Sequence, residues 1–333
     1  MFTLSTVSHD AIAKKIAAHR ARVNAELAKL FPQSEPRSLY EPARYILKGA
    51  GKRIRPILAL MGAEAISGTS KSALPVALAV EVLHNFTLIH DDIMDKADLR
   101  HGRPTVHKVW DIDTAILTGD VMHAIAYDLI LSTKSARLAQ ILKIFTENVV
   151  TICEGQSFDK EFETRKDVSL DDYLMMISRK TGRLISVALE LGGLAADATP
   201  AQAKTLRDFG AYIGRAFQVQ DDLLDIMAGD KSGKVMGGDV IEGKKTFLLL
   251  KAMELAKGKD RALLRSVIVN KGIEKSRVPE VKAVYERCGV LDEAQAFIES
   301  DFKQAFRLAS KLPNPTGRDA LMGFAALVMQ RES

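Results

Sequence analysis

Residues 72–94 read SALPVALAVEVLHNFTLIHDDIM. The stretch is apolar almost all the way round, which suits a buried central helix. Its end is of another character: Asp91 and Asp92 arrive together, and Asp95 follows. Carboxylates this close repel one another, so a chain that sets them at the end of an apolar helix needs cations there.

Outward from this stretch, helical periodicity runs nearly end to end. HDAIAKKIAAHRARVNAELAKLF (9–31) places apolar residues three and four apart, as an amphipathic helix does. TAILTGDVMHAIAYDLILS (114–132), LRDFGAYIGRAFQVQDDLLDIMA (206–228) and TFLLLKAMELA (246–256) read as further apolar helices. Convincing alternating strands are absent, so the expectation is an all-α fold, helices packed about one core. Breaks fall at KGAGKRIRP (48–56), ADLRHGRPTVH (97–107), GDKSGKVMGGDVIEGKK (229–245) and KLPNPTG (311–317), where Gly, Pro and charge collect. None reads as a flexible linker, which predicts a single domain over 1–333.

Composition narrows the classes. Of 333 residues, 47% are hydrophobic, 27% charged and 6% aromatic, a globular balance that favours helix over sheet. A net charge of +5 without a polybasic run points to a small anionic ligand and away from nucleic acid. Cys153 and Cys288 show no metal-ligand spacing, and the N-terminus lacks a secretory pattern. A reduced, cytoplasmic protein is expected, with no membrane span, because no stretch approaches ~18 uncharged apolar residues.

The acidic cluster has an echo. LIHDDIMDKAD (88–98) returns as QVQDDLLDIMAGD (218–230), Asp221 standing 130 positions after Asp91. Both have the form D-D-x-x-D on an apolar helix followed by a basic loop. Helical positions i and i+4 share a face, so Asp91 stacks with Asp95 and Asp221 with Asp225, flanked by Asp92 and Asp222. Two such faces looking at each other would gather six carboxylates with no histidine or cysteine ligand nearby. That suits several Mg²⁺ ions (Mn²⁺ as a substitute) bridging to a polyphosphate, and it does not suit zinc. One D-D-x-x-D alone reads equally well as a solvated helix face; two copies in the same context favour function.

Basic residues supply the anion's other partners. Lys52, Arg53 and Arg55 stand at a helix start, where free backbone N–H groups favour anions. Arg100, His101 and Arg103 follow the first cluster, Lys234, Lys244 and Lys245 the second, and Arg179, Lys180 and Thr181 lie between. Each taken singly is an ordinary solvated patch. No Walker or dinucleotide glycine motif is present, so nucleotide binding is not indicated. His84 precedes Asp91 by seven residues, about 20° short of two full turns, and shares the carboxylate face unless it is simply a satisfied core histidine.

Taken in order, GKRIRP, HDDIMD with LRHGRPTVH, GDVM, EGQSFD, RKTG, FQVQDDLLD and GKVMGGDVIEGKKT resemble the signatures of the trans-isoprenyl diphosphate synthases (polyprenyl synthetases), from about Tyr45 to about Leu250. The resemblance implies a helical bundle around a deep central cavity, usually a homodimer, that condenses isopentenyl diphosphate with an allylic diphosphate. It implies that Asp91, Asp92, Asp95, Asp221, Asp222 and Asp225 hold Mg²⁺ on the allylic diphosphate, with Arg100, Lys180, Lys234 and Lys244 completing the grip. Lys52, Arg55 and His84 match residues that hold isopentenyl diphosphate, and Thr181 and Gln218 would lie beside the reacting carbons. The chain departs from the pattern at His101, where the family carries a second arginine that normally contacts isopentenyl diphosphate; Arg103, or a protonated His101, would have to replace it. It departs again at Ala50, in a usually Gly-rich turn.

Product length in this family follows bulk below the first cluster. Phe86 and Thr87 lie five and four residues before Asp91, a pattern like that of short-chain enzymes making geranylgeranyl diphosphate, with farnesyl diphosphate the next choice. Ideal geometry sets Phe86 about 140° from Asp91, so core packing accounts for it as well. The rival readings are a class I terpene cyclase, a non-catalytic subunit of a heteromeric synthase, and a Ca²⁺-binding structural protein. Both Asp-rich motifs, together with the lysines, favour the elongating synthase.

Overall fold

The computed structural model describes residues 9–31, 35–49, 51–227 and 236–329. In chain order the helices are α1 (His9–Leu27), α2 (Arg37–Leu47), α3 (Ile54–Ser67), α4 (Leu74–Met94), α5 (Val106–Val109), α6 (Ile112–Leu131), α7 (Leu138–Thr164), α8 (Leu170–Ile177), α9 (Arg183–Ala195), α10 (Pro200–Met227), α11 (Gly238–Ile241), α12 (Phe247–Leu255), α13 (Gly258–Val269), α14 (Val278–Arg287), α15 (Val290–Ala309) and α16 (Pro315–Met329). The fold is all-α, as the periodicity predicts. Its one sheet among the described residues is a two-residue-per-strand hairpin, β1 (Leu99–Arg100) and β2 (Arg103–Pro104), inside the segment read as a loop. Strands that short carry no period for sequence reasoning to detect.

The chain divides into two compact units. The first comprises Met1–Thr146, Val187–Arg207 and Ala309–Phe324. Here α4 packs on α3 and α6, and α2 on α6. Val76, Ala77, Val80, Leu83 and Ile89 of α4 are buried, as its nearly unbroken apolar circumference requires. Pro75 stands at its first turn, where a missing N–H costs nothing. The length and apolar composition of α6 would allow a membrane span, yet the helix carries Asp113, Asp120 and Asp128 and packs on α4 and α2. Its outer side leaves Ile112, Ile116, Leu117 and Leu131 exposed.

The second unit comprises Glu147–Ser186, Asp208–Leu308 and Ala325–Ser333. Here α12 packs against α8, α13 and α14. Ser169 and Asp172 form a reciprocal capping box at the start of α8, and Thr246 caps α12 by accepting the Leu249 N–H. Between α8 and α9 the chain makes one π-helical turn, Ser178–Gly182.

Candidate functional site

The first acidic cluster closes α4. Asp95 is the C-cap, its N–H reaching the Asp91 and Ile93 carbonyls. Asp91 is half-buried, Asp95 is exposed, and Asp92 is 1% exposed. Arg100, on β1, donates through Nε and a terminal nitrogen to one Asp92 oxygen, at 2.8 and 2.7 Å. The other oxygen, Oδ2, is buried without a protein partner. The hairpin turns at His101 and Gly102, both left-handed (φ 51 and 75°), the geometry of a two-residue primed turn. This leaves His101 exposed at the tip. Arg103 donates to the Tyr45 carbonyl at 3.4 Å and stacks over the Tyr45 ring at 4.1 Å.

The α3 start separates three basic residues that look alike in the sequence. Arg53 is the left-handed N-cap of α3 and is buried. It bonds Asn24, Glu81 at 2.6 Å and the Leu47 and Gly49 carbonyls, so it ties elements together and offers no cation to solvent. Lys52 is exposed. Arg55 donates to His84 Nε2 at 3.0 Å. Burial, with the charges of Arg55, Arg100 and Arg53, holds the His84 ring well below its ordinary pKa, so it is neutral at pH 7. Nε2 accepts from Arg55, which leaves the ring proton on Nδ1.

Below the cluster an aromatic ladder crosses three helices. Phe86 on α4 packs on His90 at 4.8 Å and on His123 of α6 at 5.1 Å; His123 meets Tyr127 at 5.1 Å, and Tyr127 meets Phe145 of α7 at 5.1 Å. His123 Nε2 is buried without a partner, and burial lowers the ring's pKa despite Asp120. The Thr87 hydroxyl is spent on its own helix, donating to the His84 carbonyl at 2.8 Å.

The second cluster repeats the division of the first. Asp221 and Asp225 are half-buried, and Asp222 is 5% exposed. Asp222 Oδ2 accepts the Tyr173 hydroxyl and, at 3.0 Å, the Phe247 N–H at the start of α12; Oδ1 accepts Gln218 Nε2 at 3.3 Å. Burial pushes the Asp222 carboxyl up to about 7 against the pull of these donors. Asp225 Oδ2 accepts the Asp239 N–H at 3.2 Å, and burial together with the Asp239 charge raises its pKa. Lys244 bridges Asp239 at 3.2 Å and Glu242 at 2.8 Å, and these carboxylates raise its pKa although burial alone would lower it. Lys245 donates to the Phe162 carbonyl. Lys234 and Ala50 lie outside the described residues.

Lys180 and Thr181 sit in the π-turn, an element frequent at functional sites because its odd register re-aims side chains. Lys180 pairs with Asp159 of α7, and Arg179 with Glu154 at 2.8 Å while stacking over Phe158 at 5.4 Å. Close backbone approaches fix the turn: a Cβ at Gly155 would lie 2.6 Å from Lys180 N, and one at Gly214 2.8 Å from Gly182 Cα. Asp159, Glu154 and Gly155 belong to EGQSFD, a motif quoted above without a role. Tyr173 and Asp239 gave no signal beyond the company they keep.

Among the described residues no three His, Cys, Asp or Glu side chains converge closely enough to cage a metal by themselves. The outer carboxylates instead stand at i, i+4 positions, Asp91 and Asp95 at the end of α4 and Asp221 and Asp225 on α10. Mg²⁺ takes only one or two carboxylates when substrate phosphate completes its shell, so this donor set fits that ion and not zinc.

The sequence profile of the family described as Polyprenyl synthetase matches residues 36–287. The short chain isoprenyl diphosphate synthase of Methanothermobacter thermautotrophicus is 38% identical over 299 residues, 89% of this chain and 91% of that protein. The geranylgeranyl pyrophosphate synthase of Geoglobus acetivorans is 35% identical, over 96% of this chain and 99% of its own length. The crystal structure of geranylgeranyl pyrophosphate synthetase from Pyrococcus horikoshii matches with a TM-score of 0.91 at 33% identity, covering 97% of this chain and 99% of that one.

Proposed function

The chain belongs to the polyprenyl synthetase family, and from that premise we propose that it joins isopentenyl diphosphate to an allylic diphosphate and releases geranylgeranyl diphosphate. The observation that carries the reading is the split inside each D-D-x-x-D. In both clusters the outer carboxylates reach the surface while the middle one is buried and braced, by Arg100 in one and by Tyr173 in the other. A braced acidic face of this kind can hold a metal–polyphosphate complex without reorganising.

Asp91, Asp92, Asp95, Asp221, Asp222 and Asp225 would hold Mg²⁺, with Mn²⁺ as a substitute, and the bound ions supply charge neutralisation for a departing diphosphate. Arg100, Lys180, Lys234 and Lys244 grip the same diphosphate. Lys52, Arg55, the Nδ1–H of His84 and His101 hold isopentenyl diphosphate. The allylic C1–O bond breaks and the diphosphate leaves with the electron pair. The double bond of isopentenyl diphosphate then attacks C1, and the adjacent carbon gives its proton to the departing diphosphate. Thr181 and Gln218 present side-chain oxygens to the allylic cation, and no nucleophilic residue is required.

The ladder from Phe86 to Phe145 supports a short product, since a growing chain that meets it must displace four packed rings. The exposed Ile112, Ile116, Leu117 and Leu131 of α6 support the family's homodimer, and we assign the enzyme to the cytoplasm as its working compartment. The test is incubation of purified protein with Mg²⁺, labelled isopentenyl diphosphate and farnesyl diphosphate, with the dephosphorylated products sized. A twenty-carbon alcohol is expected. Activity only on five- and ten-carbon starters would make the product farnesyl diphosphate, and no condensation with any starter would sink the reading.

A further inference from the structure

Tyr173 takes no part in the condensation as set out above, yet its surroundings are built. The residue is 4% exposed on α8, and its hydroxyl donates to Asp222 Oδ2, the oxygen that also accepts the Phe247 N–H at 3.0 Å. Two donors on one oxygen, arriving from α8 and from the start of α12, fix the plane of a carboxylate that could otherwise turn about its terminal torsion. The remaining oxygen then has one orientation, and it accepts Gln218 Nε2 at 3.3 Å. An amide whose nitrogen is committed to a carboxylate presents its carbonyl oxygen on the other side.

We propose that Tyr173 is a positioning residue: acting through Asp222, it holds the Gln218 amide with Oε1 outward, toward the allylic carbon on which positive charge develops. This rests on the condensation reading. The physical need is plain, because a glutamine amide is a dipole with two ends. Turned over, it would aim an NH₂ group at a carbocation and raise the barrier it should lower. The Gln218–Asp222 contact is a long hydrogen bond and sets the orientation only while Asp222 is itself immobile. The sequence spacing fits as well: Gln218 and Asp222 are i and i+4 on α10, one above the other. Asp222 thus has three protein donors on the roughly four acceptor positions a carboxylate offers, which fixes its plane and leaves about one position for the metal it would hold.

The test begins with Tyr173→Phe, which keeps the ring and its burial and removes only the hydroxyl. The expected result is a fall in kcat of about tenfold or more, with KM for both substrates within about twofold. Placed in a Gln218→Ala background, the same substitution should cost nothing further, since its effect passes through the missing amide. Additive losses, an unchanged kcat, or a rise in KM and in the Mg²⁺ concentration for half-maximal rate would overturn the proposal. Asp222→Asn is the second variant. Asn can still accept from Tyr173 and Phe247, but it then turns an NH₂ toward Gln218 and forces that amide to flip, so kcat should fall at least as far with the fold intact.

A readout independent of turnover is exchange of the Gln218 side-chain amide protons, followed by NMR on glutamine-labelled protein. Tyr173→Phe should speed it severalfold, and unchanged exchange would overturn the link whatever the activity. Failure of the unmodified enzyme to condense any starter would strike the functional reading alone, because the exchange measurement stands apart from it.

Discussion

Arg100 sets two of its nitrogens on a single oxygen of Asp92, at 2.8 and 2.7 Å, and Asp92 is 1% exposed. Removing the cation leaves a buried carboxylate with no charge partner among these contacts, a loss that typically costs 3–5 kcal/mol. Because Arg100 is itself partly exposed, we expect about 3 kcal/mol from Arg100→Ala, read as a lower midpoint in denaturant unfolding. Arg100→Lys should recover part of the stability and less of the activity, since a lysine offers one point charge in place of a fork.

Gly155 has no room for a side chain, its missing Cβ lying 2.6 Å from Lys180 N. Gly155→Ala should therefore push the turn that carries Lys180 and Thr181. A displacement of about 1 Å at a reacting group costs ~10²-fold. The expected outcome is a kcat loss of that order with an unchanged far-UV circular dichroism spectrum. Full activity would mean that the turn does not position the reacting groups.

The aromatic ladder makes a prediction about product length. Phe86→Ala removes the first rung, but His123, Tyr127 and Phe145 still stack at 5.1 Å spacings behind it. The single variant should give a mixture reaching beyond twenty carbons, and Phe86→Ala with His123→Ala should lengthen the products further. Product sizing by chromatography checks both. If the pair is no longer than the single variant, His123 lies off the chain's path.

Glu64 gives a pH signature away from the reaction. Burial alone would raise its pKa, but the pairs with His19 at 3.2 Å and Lys15 at 2.7 Å hold the carboxyl down to about 2. A depressed carboxyl stabilises the fold above its ordinary pKa of 4.5, and that stability is lost as pH falls toward 2. Glu64→Gln should be less stable at pH 7 by on the order of 3 kcal/mol. The difference from the parent should shrink below about pH 4.5 and close near 2; a difference constant with pH would refute the pairing.

The helix over 72–94 is legible because its apolar circumference and its carboxylate end are both local facts. The i, i+4 spacing of Asp91 and Asp95 is legible for the same reason. The sorting of the aspartates is not, since Asp92 and Asp222 are set apart by Arg100, 8 positions away, and Tyr173, 49 away. Nor is the fate of the basic residues. Arg53 belongs to a run that reads as an anion site and is instead consumed by Asn24, Glu81 and two carbonyls. Lys180 reads as a diphosphate ligand, and the fold adds Asp159 beside it. His101 departs from the family's arginine, and the left-handed turn it occupies is a backbone constraint that no side-chain pattern announces. Composition and period report what a residue prefers, whereas only tertiary neighbours decide what it touches.

Tyr173 and Lys180 are seven residues apart, and in an unbroken α-helix they would point within about 20° of each other. Here Tyr173 addresses Asp222 on α10 and Lys180 addresses Asp159 on α7, with the Ser178–Gly182 turn between them. The turn behaves as a one-residue insertion that lets a single rod serve two neighbours. Deleting one residue within it would heal the helix into a regular, better-bonded one, and because the wide turn already absorbs the extra residue, Tyr173 and Lys180, then six residues apart, would still diverge by about 120°. A deletion there removes the wide turn itself and leaves the directions of the flanking helices unchanged, so its cost falls on the site and not on the fold.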